Sequence, residues 1–65
     1  MYDINKIKLI GKAHFDDSET EVYQEFEYLG EESCAFLGAD REFSNSIASR
    51  KQKCIEELYM QEDMA

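Results

Sequence analysis

Apolar and polar side chains alternate with a period of two between Ile4 and Leu29, and this pattern leaves the chain few folds. In the first half the apolar residues take odd positions, at Ile7, Leu9, Ala13 and Phe15, with Ile4 and Ile10 as exceptions. In the second half they take even positions, at Val22, Phe26 and Tyr28. A period of two is typical of β-strands with one covered face. The polar run 16–20 between the halves is rich in turn formers, so the stretch predicts a β-hairpin with a loop of about four or five residues.

The apolar side chains of the two arms must share one face of the hairpin, and this leaves two arrangements of the register that we consider. In one arrangement Leu9 lies opposite Phe26, and in the other Leu9 lies opposite Tyr28. Both place lysines of the first arm beside glutamates of the second on the outer face, where each cross-strand pair contributes about 0.2–1 kcal/mol. A slip of one residue would bury these charges, so the face on which each side chain lies is well specified. The choice between the two registers stays open.

The next segment predicts a turn and a third strand. Gly30 to Ser33 contains glycine and polar residues that favour a turn. Cys34 to Ala39 is a short apolar run, which is consistent with a strand, although a loop packed into the core is the alternative. Because apolar residues occupy both its odd and its even positions, we expect this strand to be shielded on both faces or to lie at a subunit contact.

From Asp40 onward the apolar period changes to that of a helix. One side of this helix would carry Phe43, Ile47, Ala48, Cys54, Ile55, Leu58 and Tyr59. Ser44 and Ser46 are the favoured N-caps. The acidic residues near the carboxyl end oppose the helix dipole, so we expect fraying from about Gln61.

These elements predict an α+β fold, a three-stranded antiparallel sheet (β-β-β-α) with one C-terminal helix packed on one face. Residues 1–65 would form a single small domain. The predicted core contains Ile7, Leu9, Ala13, Phe15, Val22, Phe26, Tyr28, Phe36, Ile47, Cys54, Ile55 and Leu58.

A chain of 65 residues is marginal as an isolated domain, because it buries only about 60% of its unfolded surface. A partner subunit is one common supplement, so a homodimer is an open alternative. The sequence contains neither a run of apolar residues long enough for a membrane span nor a signal-peptide pattern. We therefore expect a cytoplasmic protein with reduced thiols and no membrane partner.

The net charge of −8 is concentrated in one part of the chain. Residues 16–32 hold eight carboxylates and no basic residue. Such a patch repels nucleic-acid phosphates and attracts basic protein surfaces.

No set of residues predicts catalysis or metal binding. His14, Cys34 and Cys54 lie 20 residues apart and lack a fourth ligand, whereas structural zinc sites use four ligands in close pairs. His14 should also face away from the core, so it would not meet a cysteine nucleophile. We expect two buried structural cysteines, no cofactor and no enzymatic activity.

The segment Ser49-Arg50-Lys51-Gln52-Lys53 opens a helix after three strands, and in this it resembles the last helix of double-stranded-RNA-binding domains. In that family the basic start of the helix contacts phosphates. The first helix of the family has no counterpart here, and the neighbouring strands are acidic. We therefore do not assign the chain to the family, and binding of RNA or DNA through Arg50, Lys51 and Lys53 is the second alternative function.

The acidic hairpin predicts a small acidic protein-binding module that inhibits or modulates a larger basic protein, with a nucleic-acid-acting enzyme as one such partner. By analogy of size and charge, phages and mobile elements are the expected source. The predicted partner-binding residues are Asp16, Asp17, Glu19, Glu21, Tyr23, Glu25 and Glu27. The first alternative is a structural oligomerisation module, in which the charge serves only to keep the protein dispersed.

Overall fold

A computed structural model describes residues 1–64 and confirms the α+β fold. A 3-10 helix, Ile4–Lys6, precedes three strands, β1 (Ile7–Phe15), β2 (Glu21–Tyr28) and β3 (Glu31–Ala39). The strands form one antiparallel sheet in the order β1-β2-β3, and the helix α1 (Ile47–Met64) packs on it.

The first hairpin uses both of the predicted registers, one on each side of a bulge in β1. Near the start of β1, Leu9 pairs with Phe26, whereas at its end Phe15 pairs with Val22. The two registers differ by two residues, so each side chain keeps its face of the sheet. Gly11 lies in the bulge with a φ of 70°, a backbone shape that glycine adopts without the strain of a Cβ.

The second hairpin turns more tightly than the sequence predicted. Only Leu29 and Gly30 separate β2 from β3, so the predicted turn from Gly30 to Ser33 is wrong. Leu29 has a φ of 51° and Gly30 a φ of 88°, as in the two-residue turns that match the twist of a hairpin. The third strand consequently begins three residues earlier than expected.

A second bulge, in β3, decides which of its apolar residues are buried. Tyr23 pairs with Phe36 and Val22 with Gly38, which leaves Leu37 as an extra residue in β3. Leu37 and Ala35 are buried, whereas Phe36 is 45% exposed. The prediction of Phe36 as a core residue is therefore wrong, because it points to the face of the sheet that carries Tyr23.

A core cluster of five buried residues lies between the sheet and α1: Ile7, Phe26, Ala35, Cys54 and Ile55. Val22, as predicted, and Leu37 are also buried. Leu9, Tyr28 and Leu58 pack against this cluster as predicted, and Tyr2 and Ile4 join them. Phe15 and Ile47 are exposed, so their prediction as core residues is wrong. Phe15 ends β1 and Ile47 begins α1, and both lie outside the cluster that the helix covers.

Ser46 caps the helix, as the sequence predicted. Its Oγ accepts a hydrogen bond of 3.1 Å from the backbone N–H of Ser49. At the other end the helix continues past Gln61 to Met64. The expected fraying from about Gln61 stays a prediction. The side-chain Nε2 of Gln61 donates a 2.7 Å hydrogen bond to Ser33 Oγ on β3, which ties the last turns of α1 to the sheet.

Candidate docking surface

The face of the sheet that points away from α1, here called the outer face, carries the alternating charged residues of β2. Residues that pair directly across antiparallel strands share a face. The pairs with β2 therefore place the following side chains together on the outer face: Lys8, Ile10 and His14 from β1, Glu21, Tyr23, Glu25 and Glu27 from β2, and Glu32, Cys34 and Phe36 from β3.

Aromatic rings form a line across the three strands of the outer face. The ring centroids of Tyr23 and Phe36 lie 5.5 Å apart, and those of His14 and Tyr23 lie 6.5 Å apart. The Tyr23 hydroxyl donates a hydrogen bond of 3.4 Å to Glu21 Oε2. Desolvation and the neighbouring Glu21 carboxylate raise the pKa of Tyr23, so its hydroxyl remains a donor at neutral pH. The Tyr23 and Phe36 rings thus form an apolar patch, and the Tyr23 hydroxyl is a hydrogen-bond donor within it.

Carboxylates surround this aromatic line. Glu25 Oε1 lies 3.8 Å from His14 Nε2, while Glu27 lies between Lys8 on β1 and Glu32 on β3. Like charges directly opposite each other on neighbouring strands are destabilising. Glu27 and Glu32 therefore repel each other on the outer face.

The predicted loop residues divide into one structural residue and two exposed ones. Asp16 Oδ1 accepts hydrogen bonds from Ser18 Oγ at 2.9 Å and from the backbone N–H of Thr20 at 3.2 Å and of Glu21 at 3.3 Å. Desolvation alone would raise the pKa of Asp16, but these hydrogen bonds outweigh it and the pKa is lowered. Asp16 therefore shapes the loop.

The remaining predicted residues lie where a partner can reach them. Asp17 and Glu19 are exposed in the loop at one end of the sheet. Glu21, Tyr23, Glu25 and Glu27 lie together on the outer face.

Sequence reasoning did not include Phe36, Cys34 and Glu32 in the site, although all three lie on the outer face. The sequence did contain one indication of them: apolar residues occupy both odd and even positions of β3, which indicates a strand with contacts on both faces. Its exposed aromatic residue could be identified only after pairing placed Phe36 opposite Tyr23.

The cysteines differ in their surroundings. Cys54 is buried as expected, whereas Cys34 is exposed, which corrects the prediction of two buried thiols. Burial raises the pKa of Cys54 to about 11, and burial followed by the charges of Glu25 and Glu57 raises that of Cys34. Within residues 1–64, no three His, Cys, Asp or Glu side chains form a group that could hold a metal ion.

The basic start of α1 is partly used inside the protein. Arg50 Nη1 donates a 2.9 Å hydrogen bond to the side-chain Oε1 of buried Gln24, so its guanidinium points to the sheet. Lys53 Nζ lies 3.7 Å from Glu56 Oε1. This arrangement weakens the alternative of phosphate binding, since Arg50 is turned away from solvent.

The fold and the outer face together define a small α+β domain with one acidic, aromatic-centred sheet face opposite the core. At the β3 edge of this face, Phe36 borders Lys53, Glu57 and Met60 of α1. Comparisons with models of known protein families, with curated proteins and with solved structures found no match. Within the described part of the chain, no helix has the length and apolar character needed to cross a membrane.

Proposed function

We propose that the chain is a small acidic protein-binding module, which docks its outer face on a basic surface of a larger protein and inhibits or modulates that protein. The observation that carries the proposal is the Tyr23–Phe36 ring pair, surrounded by carboxylates on the outer face of the sheet. The binding residues are those predicted, with Asp16 acting indirectly through the loop and with Phe36 added.

The two parts of the outer face would do different work in such a complex. Aromatic side chains at the centre of an interface supply much of the binding free energy once water is excluded. The surrounding carboxylates mainly speed association and select partners of positive charge. Phe36 is 45% exposed, so it has surface left to bury against a partner.

A protein that acts on nucleic acid is the partner class that fits best. Its binding groove is lined by lysine and arginine for phosphate, and the rows of carboxylates on β2 would compete for the same groups. Inhibitors of this size and charge fit products of phages and mobile elements, and a cytoplasmic location follows from such a partner. The present chain would then act by occupying the groove.

Site-specific crosslinking followed by affinity measurement tests the proposal. A photoreactive phenylalanine analogue at position 36 should capture a basic protein in the source cell, whereas the same analogue at position 52, an exposed position of α1 that does not border Phe36, should not. With the captured protein purified, the triple variant Glu21→Gln, Glu25→Gln, Glu27→Gln should bind at least about tenfold more weakly, since each paired charge contributes on the order of 1 kcal/mol or more.

The matched control removes three carboxylates elsewhere. The variant Asp3→Asn, Glu42→Gln, Asp63→Asn changes the net charge equally, and all three residues are exposed and lie outside the strands. Its affinity should fall only slightly. An equal loss in both triple variants would contradict docking through the outer face, because it would assign the attraction to net charge alone.

The alternative function is oligomerisation, and the exposed ring of Phe36 is the observation that favours it. A homodimer could bury this ring together with Tyr23. It would, however, bring the carboxylates of both copies together, which costs electrostatic free energy. Sedimentation at micromolar concentrations separates the two functions, since a stable dimer that Phe36→Ser converts to a monomer would replace docking by self-association.

A further inference from the structure

A cleft at the end of the sheet where β2 turns into β3 is lined by tyrosines and glutamates. It lies between the β2–β3 hairpin and the last turns of α1 and has a volume of about 330 Å³. Its walls include Tyr2, Tyr28 and Leu58, and its carboxylates are Glu31, Glu32 and Glu62. The volume falls in the range of clefts that hold a ligand group, about 300–1,000 Å³.

The tyrosine walls are held in place by hydrogen bonds and ring contacts. The Tyr28 hydroxyl accepts a 3.0 Å hydrogen bond from the backbone N–H of Asp3. Tyr2 packs edge-on against Tyr28, with ring centroids 5.5 Å apart, and against Tyr59, with centroids 4.9 Å apart. Rings fixed in this way are organised before a ligand arrives, which lowers the entropic cost of binding.

The charge of the cleft is wholly negative. No lysine or arginine is among its lining residues, and within residues 1–64 none of its three glutamates forms an ion pair. The same glutamates do not form a group that could hold a metal ion, again within the described chain. Carboxylates spread around an aromatic wall suit a cation whose charge is distributed over several atoms.

We propose that this cleft binds the arginine side chain of a peptide segment. The guanidinium is planar, weakly hydrated and carries five N–H donors, so it can lie against a tyrosine ring and donate to separate carboxylates at once. The aliphatic part of the arginine side chain would contact Leu58. The cleft shares Glu32 with the outer face, but its tyrosine walls belong to the α1 side of the sheet, and the site does not depend on the docking proposed above.

Titration of the full chain with a short arginine peptide tests the site. The probe is acetyl-Gly-Arg-Gly-amide, and the matched probe replaces arginine by citrulline, which has nearly the same shape without the charge. In two-dimensional NMR spectra the arginine peptide should shift the backbone signals of residues 2, 28, 31 and 61, and the citrulline peptide should bind at least about tenfold more weakly.

Two variants locate the binding. Glu31→Gln with Glu62→Gln should weaken binding of the arginine peptide at least about fivefold, while Glu21→Gln with Glu25→Gln, on the outer face, should leave it nearly unchanged. Tyr2→Leu keeps an apolar side chain but removes the ring, and it should weaken binding as well. Each variant is first shown to be folded by its NMR spectrum.

Three results would overturn the inference. Equal binding of the citrulline and arginine peptides would exclude recognition of the charge. Loss of binding in the outer-face variant but not in the cleft variant would place the arginine elsewhere. Tighter binding of the corresponding lysine or trimethyl-lysine peptide would show that the cleft prefers an ammonium group.

Discussion

The side chain of Gln24 joins the β1 bulge to the start of α1 through Arg50. Gln24 is fully buried, and its Oε1 accepts the 2.9 Å hydrogen bond from Arg50 Nη1. Its Nε2 lies 3.1 Å from the backbone oxygen of Ile10 and 3.3 Å from that of Gly11. The buried Gln24 side chain thus donates hydrogen bonds to backbone oxygens of the irregular part of β1 and accepts one from the first turns of α1, which orients the helix.

Gln24→Leu should lower the free energy of unfolding by about 2–3 kcal/mol, because it leaves buried polar groups without partners. Urea denaturation measures the change. The double variant Gln24→Leu, Arg50→Met should lose less free energy of unfolding than the sum of the losses in the two single variants, since both changes remove the same contact. Lys51→Met is the control and should change stability by less than about 0.5 kcal/mol. Strictly additive losses would contradict the coupling.

Leu29→Asn should stabilise the protein by about 0.5–1 kcal/mol. Leu29 has a φ of 51° and its side chain is 70% exposed, so the residue bears backbone strain with little compensating burial. Asparagine tolerates this conformation and forms the favoured Asn-Gly turn with Gly30. Thermal and urea unfolding measure the gain. Leu29→Ala, which keeps the strain, should give no gain, and an equal gain from alanine would refute the explanation.

Asp16→Asn should remove a pH-dependent part of the stability. Because the pKa of Asp16 in the folded protein lies below its ordinary value of 3.8, its contribution is fully present above that value and is lost as the pH falls through the folded pKa. The stability difference between the wild type and this variant should therefore be constant near neutral pH and shrink in acid. Asp17→Asn is the matched control for the loop, and because Asp17 is exposed it should change the free energy of unfolding at neutral pH by less than about 0.5 kcal/mol.

The two thiols should react with iodoacetamide in a fixed order, which mass spectrometry of peptide fragments can follow. Cys34 is exposed and should be modified in the folded protein, whereas Cys54 is buried with a pKa of about 11 and should react only after unfolding. Negatively charged iodoacetate should react more slowly with Cys34 than iodoacetamide does. Glu25→Gln should bring the rates of the two reagents at Cys34 closer together. An unchanged ratio of these two rates would argue against a negative potential at the outer face.

The alternation of side chains was enough to predict the hairpin and the face on which each β2 residue lies. It could not choose between the two registers, because the Gly11 bulge lets β1 use one and then the other. The tight second turn was missed because leucine rarely adopts a positive φ, and Leu29 gives no turn signal.

The candidate site was predicted only along one strand. Glu21, Tyr23, Glu25 and Glu27 followed from their spacing, whereas Phe36 joined them through pairing between strands that are distant in sequence. Gln24 and Arg50 lie 26 residues apart, and nothing local to either residue reveals their hydrogen bond. Periodicity therefore predicts faces, while contacts across the fold decide which polar residues are structural.

The bulges also bear on how the protein avoids aggregation. β1 and β3 are the edge strands of the sheet, and each is interrupted, near Gly11 in one and at Leu37 in the other. A bulge breaks the regular row of N–H and C=O groups on which the strand of another molecule could be added. The sheet can consequently leave its outer face open for a partner while offering no regular edge from which a fibril could grow.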